Sequence, residues 1–117
     1  MPATATSIKK QRQKKTSPAK ESQQRPARQP RYHVVLWDDN DHTYDYVIRM
    51  MTHLFGHPPE KGMLIATEVD NAGRAVCLTT TREHAELKRD QIHAFGPDVL
   101  MTTSRSSMRA SIEPVPE

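Results

Sequence analysis

A chain of 117 residues with a formal net charge of +3 and one cysteine has room for a single small domain. The lone Cys77 excludes an internal disulfide and the thiolate set of a structural zinc site, and no apolar run approaches membrane-spanning length. Charge is placed unevenly: residues 1–31 hold nine Lys or Arg against one Glu, a local +8, and the remaining residues carry −5.

Residues 1–31 are rich in Gln, Ser, Thr and Pro and read as a disordered basic extension. Their "KKQRQKK" run can neutralise phosphates but has no aromatic residue to stack on bases and no apolar face to seat on a membrane. A solvated extension is the preferred reading, and a small nucleic-acid-associated protein acting through this tail is the alternative function. No apolar stretch follows the basic residues, so no secretory signal is read and the expected location is cytoplasmic, with no membrane partner.

The folded part is expected over 32–117. "YHVVLW", Tyr32 to Trp37, is β-branched and aromatic and predicts a strand. Asp38, Asp39, Asn40 and Asp41 end it. Thr43 is placed to N-cap a helix that carries Val47, Met50, Met51, Leu54 and Phe55 on one stripe, with Asp45 in its first turn and Gly56 closing it. Pro58 and Pro59 open a second helix, expected to bury Leu64, Ile65 and Val69 and to stop at Gly73, so that the two helices form a hairpin. "RAVCLTT" predicts a second strand with Cys77 as a buried, inert thiol, and Thr81 caps a third helix expected to end at Gly96 and Pro97. The alternating "SMRASIEP" predicts a closing strand with Met108, Ala110 and Ile112 on one face. The fold class is α+β, a single small domain of order β-α-α-β-α-β, with a three-stranded antiparallel sheet packed against three helices.

Four polar residues directly after a strand raise the question of what they hold. A calcium loop needs a Gly at its sharp turn and a bidentate Glu at its far end, and neither is present. His53 and His57 have the i, i+4 spacing of a metal pair, but Gly56 breaks the helix between them. No metal or cofactor is expected, and without a nucleophile beside a visible base the chain does not read as an enzyme. Two readings remain for Asp38 to Asp41: an Asx-type turn leading into the helix, or a carboxylate cluster for a primary ammonium group. On this stretch alone the turn is the simpler one.

The run "YHVVLWDDNDHTYDYVIRMMTHLFG", followed in order by "EKG", a "GRAV" strand entry and "TREHAELK", resembles the ClpS family, the adaptors of the Clp ATP-dependent protease. The resemblance covers Tyr32 to about Gln91 and resumes at "SMRASIEP". It implies a non-enzymatic adaptor that takes the free amino group and large apolar first side chain of a substrate protein (its N-degron) and delivers the substrate to the N-terminal domain of a Clp-family AAA+ unfoldase. By position, it implies amino-group contacts at Asp38, Asp39 and Asp70. It likewise implies a side-chain pocket of Tyr44, Val47, Ala66, Val69 and Met108, and an unfoldase contact at Glu83, Glu86 and Lys88. The family usually has Asn in place of Asp38, His in place of Asp70, and Met in place of Tyr44 and Ala66. The implied site is therefore more acidic than its relatives and differently shaped.

Overall fold

The computed structural model describes residues 29–116. The expectation of a disordered tail lies outside the described residues as far as position 28. Six elements follow in chain order: β1 (Arg31–Trp37), α1 (Tyr44–Phe55), α2 (Pro59–Ala72), β2 (Arg74–Thr81), α3 (Arg82–His93) and β3 (Ala110–Pro114). The strands form one sheet of order β2-β1-β3, antiparallel throughout. This is the α+β arrangement expected from the sequence.

β1 is the central strand because its Val34, Val35 and Leu36 are fully buried, which only a strand paired on both edges and packed on a core achieves. Val34 and Leu36 meet Met50 and Met51 of α1, Ile65 and Val69 of α2, Ala85 and Ile92 of α3, and the thiol-bearing Cys77 of β2 in a single core. Each helix is punctuated as its sequence dictates. The Thr43 hydroxyl accepts the Tyr46 N–H at 3.1 Å and the Thr81 hydroxyl accepts that of His84 at 3.3 Å. Gly56 closes α1 at φ 71° and Gly73 closes α2 at φ 86°, a left-handed geometry that L side chains resist.

Two details differ from the sequence expectation. Leu64 is 68% exposed. The face that α2 buries is Gly62, Ile65, Ala66 and Val69, a spacing of three and four residues that turns position 64 to solvent, so its apolar character misled. α3 ends at His93 rather than reaching Gly96, because the His93 ring meets the backbone N–H and C=O of Ala110, each at 3.1 Å, and ties the helix end to β3.

The α1–α2 hairpin closes at Gly62. A Cβ there would stand 3.1 Å from the Cα of Ile48, a contact with backbone that cannot swing aside. Gly62→Ala gains about 1 kcal/mol in helix propensity but incurs about 1–3 kcal/mol of overpacking. A net loss of stability in urea unfolding is therefore expected. A gain would show that the two helices separate freely.

Candidate functional site

The site begins where β1 ends. The Trp37 N–H donates to the Arg109 carbonyl and the Asp38 N–H to the Gly73 carbonyl, each at 3.0 Å. The second bond pins the start of the acidic stretch to the end of α2. Asp70 lies three residues before Gly73 on that helix, so two carboxylates far apart in sequence share one rim. Asp38, Asp39 and Asp70 line a cavity of about 60 Å³ together with Tyr44 and Val47 of α1, Ala66 and Val69 of α2, and Met108 before β3. All eight residues that the resemblance implied for substrate thus surround one concavity, and His42 and Thr43 complete its wall.

Its two halves differ chemically. Val47, Ala66, Val69 and Met108 are buried, with exposures of 4%, 2%, 2% and 3%, and form an apolar floor. The three carboxylates belong to solvent-exposed residues at the rim. Such a concavity suits a cation joined directly to an apolar group, the carboxylates accepting the cation's hydrogens and the floor removing the apolar part from water.

The carboxylates are held differently. Asp39 Oδ1 accepts the Asp41 N–H at 3.0 Å, which is the Asx turn the sequence suggested, and both its oxygens meet His42 Nδ1 at 2.7 and 2.9 Å. Asp70 Oδ2 accepts the Tyr44 hydroxyl at 2.6 Å, a bond that crosses the mouth from α1 to α2. That bond to a carboxylate raises the Tyr44 phenol above its ordinary range, because loss of its proton would set two negative oxygens side by side. The turn reading and a ligand role do not compete: Asp39 makes the turn and still presents a carboxylate to the cavity.

Thr43 sits between these residues and is itself fixed. Its N–H and hydroxyl both donate to Asp98 Oδ2, at 2.6 and 2.8 Å, and Asp98 Oδ1 accepts the Leu100 N–H at 2.9 Å. Burial alone would raise the Asp98 pKa. The Thr43 N–H, the Leu100 N–H, the Thr43 hydroxyl and nearby His42 outweigh it, and the carboxyl is held below its usual range.

The residues implied for the unfoldase are not part of this cavity and lie on α3. Glu83 is exposed in the first turn, and Glu86 pairs with Arg82 at 3.3 Å. Lys88 Nζ donates to the Leu54 carbonyl at 2.5 Å beside the Phe55 ring, and so also caps the end of α1. Among the described residues no three of His, Cys, Asp or Glu stand together as a metal set. His57 Nε2 instead donates to the Cys77 carbonyl at 2.8 Å. Burial pushes the Cys77 thiol up to about 12, which suits a packing residue rather than a nucleophile.

Sequence reasoning missed His42 and Asp98. His42 follows Asp39 by three residues inside the acidic stretch, a spacing at which a turn brings side chains together. Asp98 sits in a loop with no periodicity to flag it.

A family model described as ATP-dependent Clp protease adaptor protein ClpS matches residues 27–98. The ATP-dependent Clp protease adapter protein ClpS of Desulforapulum autotrophicum is 34% identical over 64 residues, covering 55% of this chain and 62% of that protein. Its counterpart in Xylella fastidiosa strain M12 is 36% identical over 66 residues, with 56% and 62% covered. The matches thus span 62% of the length of these curated relatives. Among solved structures, that of Agrobacterium tumefaciens ClpS2 bound to L-phenylalaninamide superposes with a TM-score of 0.65 at 20% identity, covering 75% of this chain and all of the other. The likeness is one of fold.

Proposed function

The chain belongs to the ClpS family of ATP-dependent Clp protease adaptors, and from that premise we propose that it binds proteins by their free N-terminal amino group and first side chain and delivers them to a Clp unfoldase. The observation that carries this reading is the divided cavity, with acidic residues Asp38, Asp39 and Asp70 at the rim and an apolar floor beneath. A protein's first residue is the one place where a primary ammonium adjoins a side chain directly. The ligand in the A. tumefaciens ClpS2 structure, an amino-acid amide with an aromatic side chain, has the same two-part chemistry.

In this proposal Asp38, Asp39 and Asp70 accept the ammonium, and Tyr44, Val47, Ala66, Val69 and Met108 frame the first side chain. Glu83, Glu86 and Lys88 face the N-terminal domain of the AAA+ unfoldase. The protein adds no bond-breaking chemistry of its own. Residues 32–117 form the adaptor core, joined by Arg31 as the first residue of β1, the residues before it form a separate basic extension, and the cytoplasm is the working compartment. No helix among the described residues is long and apolar enough to cross a membrane. The nucleic-acid reading rests on residues 1–31 alone and gains nothing from the family match.

The test is a reconstituted degradation assay with a Clp unfoldase and its protease. A reporter beginning with free phenylalanine is expected to be degraded when this chain is added and spared when its amino terminus is acetylated. Equal degradation of both reporters, or no dependence on the chain, would overturn the proposal.

A further inference from the structure

His42 stands in the wall of the cavity, beside the proposed amino-group site. Its side chain is 3% exposed, although the carboxylate it meets is 33% exposed. Nδ1 donates to both oxygens of Asp39, at 2.7 and 2.9 Å, and Nε2 faces the Ser106 carbonyl at 2.7 Å and the Ser104 hydroxyl at 3.3 Å. The ring leans on Tyr46, with centroids 4.5 Å apart. A side chain fixed at both nitrogens and one face has a single orientation, and so does the carboxylate it holds.

We propose that His42 is the positioning residue of the amino-group site: it fixes the Asp39 carboxylate on the cavity rim and joins it to the segment that carries Ser104 and Ser106. Three observations converge on this. Without His42 the exposed Asp39 carboxylate would be held only by the Asp41 N–H on Oδ1, and a site that must order its own acceptor on binding loses affinity. A carboxylate has about four lone-pair positions, so after the bonds from Asp41 and His42 it retains capacity for a ligand ammonium. The second nitrogen reaches the backbone 64 residues further along the chain, which makes the rim one unit with the loop that leads into Met108.

The inference rests on the proposed function, and the two are separable by experiment. A fluorescein-labelled peptide beginning with free phenylalanine and its acetylated counterpart are titrated into the full chain and into His42→Ala, His42→Asn and His42→Gln, with circular dichroism to establish folding. Asn places an amide N–H near Nδ1, and Gln places one near Nε2. His42→Ala is expected to bind the free-amino peptide about tenfold more weakly, in line with the loss of a hydrogen bond to a charged group. His42→Asn should return to within about threefold of the parent, and His42→Gln should stay near the alanine variant. If alanine fails to fold, the asparagine and glutamine variants alone decide. Parental affinity in His42→Ala, or rescue by Gln and not by Asn, would overturn the inference, the second result marking His42 as a loop tether. A parent chain that binds both peptides alike would overturn the functional reading itself.

Discussion

Asp98→Ala is expected to lower the unfolding free energy by about 3 kcal/mol, among the largest single losses this domain can suffer. Asp98 is 1% exposed and its carboxylate takes three donors: the Thr43 N–H, the Thr43 hydroxyl and the Leu100 N–H. Removing it leaves those donors without their acceptor, and an unpaired buried donor costs about 1–3 kcal/mol. The cost also reaches the start of α1, because Thr43 is its N-cap. Urea unfolding monitored by circular dichroism measures the loss, and a change under about 0.5 kcal/mol, ordinary for surface positions, would show that Asp98 does not hold the loop to the helix.

The same carboxylate gives a pH dependence with a definite sign. Its folded pKa is depressed, so the stability it contributes is fully present above the unfolded value of about 3.9 and is lost as pH falls through the folded value. The parent should therefore lose stability on acidification below about pH 4, and Asp98→Asn, which has no proton to take up there, should show a shallower loss. Equal slopes in the two proteins would contradict the assignment.

The second large effect is on binding. Asp70→Asn should weaken binding of a peptide with a free amino terminus roughly tenfold or more, since a hydrogen bond to a charged group is worth about 1.5–3 kcal/mol. Asparagine keeps the shape and an acceptor oxygen for the Tyr44 hydroxyl, so the bond across the mouth survives and the change isolates the charge. Asp41→Asn is the control. Asp41 joins the Asx turn through its backbone N–H, lines no part of the cavity, and should alter affinity little. Equal losses from both variants would mean that only general surface charge is sensed.

How far the sequence reveals such a site depends on where the information lies. β1, the Thr43 and Thr81 caps and the glycine stops after α1 and α2 were legible because each rests on local chemistry: branched residues in a run, a hydroxyl before a helix, a left-handed close. Exposed Leu64 was not, since hydropathy says what a side chain prefers and only the phase of α2 says which way it points. The meeting of Asp38 with Asp70 was legible only through family resemblance. No periodicity foretells that the Asp38 N–H will bond the Gly73 carbonyl. Asp98 and the far contact of His42 were least accessible, because Asp98 meets Thr43 across 55 residues and His42 meets Ser106 across 64, and both come together only when the last loop folds back on α1.

The central claim is that the cavity recognises an ammonium joined to an apolar side chain, and equilibrium titration of matched peptides tests it most directly. Peptides beginning with phenylalanine, one with a free amino terminus and one acetylated, are compared with a third beginning with free glycine. Binding is expected only for the free phenylalanine peptide, with a preference of at least about tenfold over either of the others. Equal binding of the free and acetylated phenylalanine peptides would contradict the account.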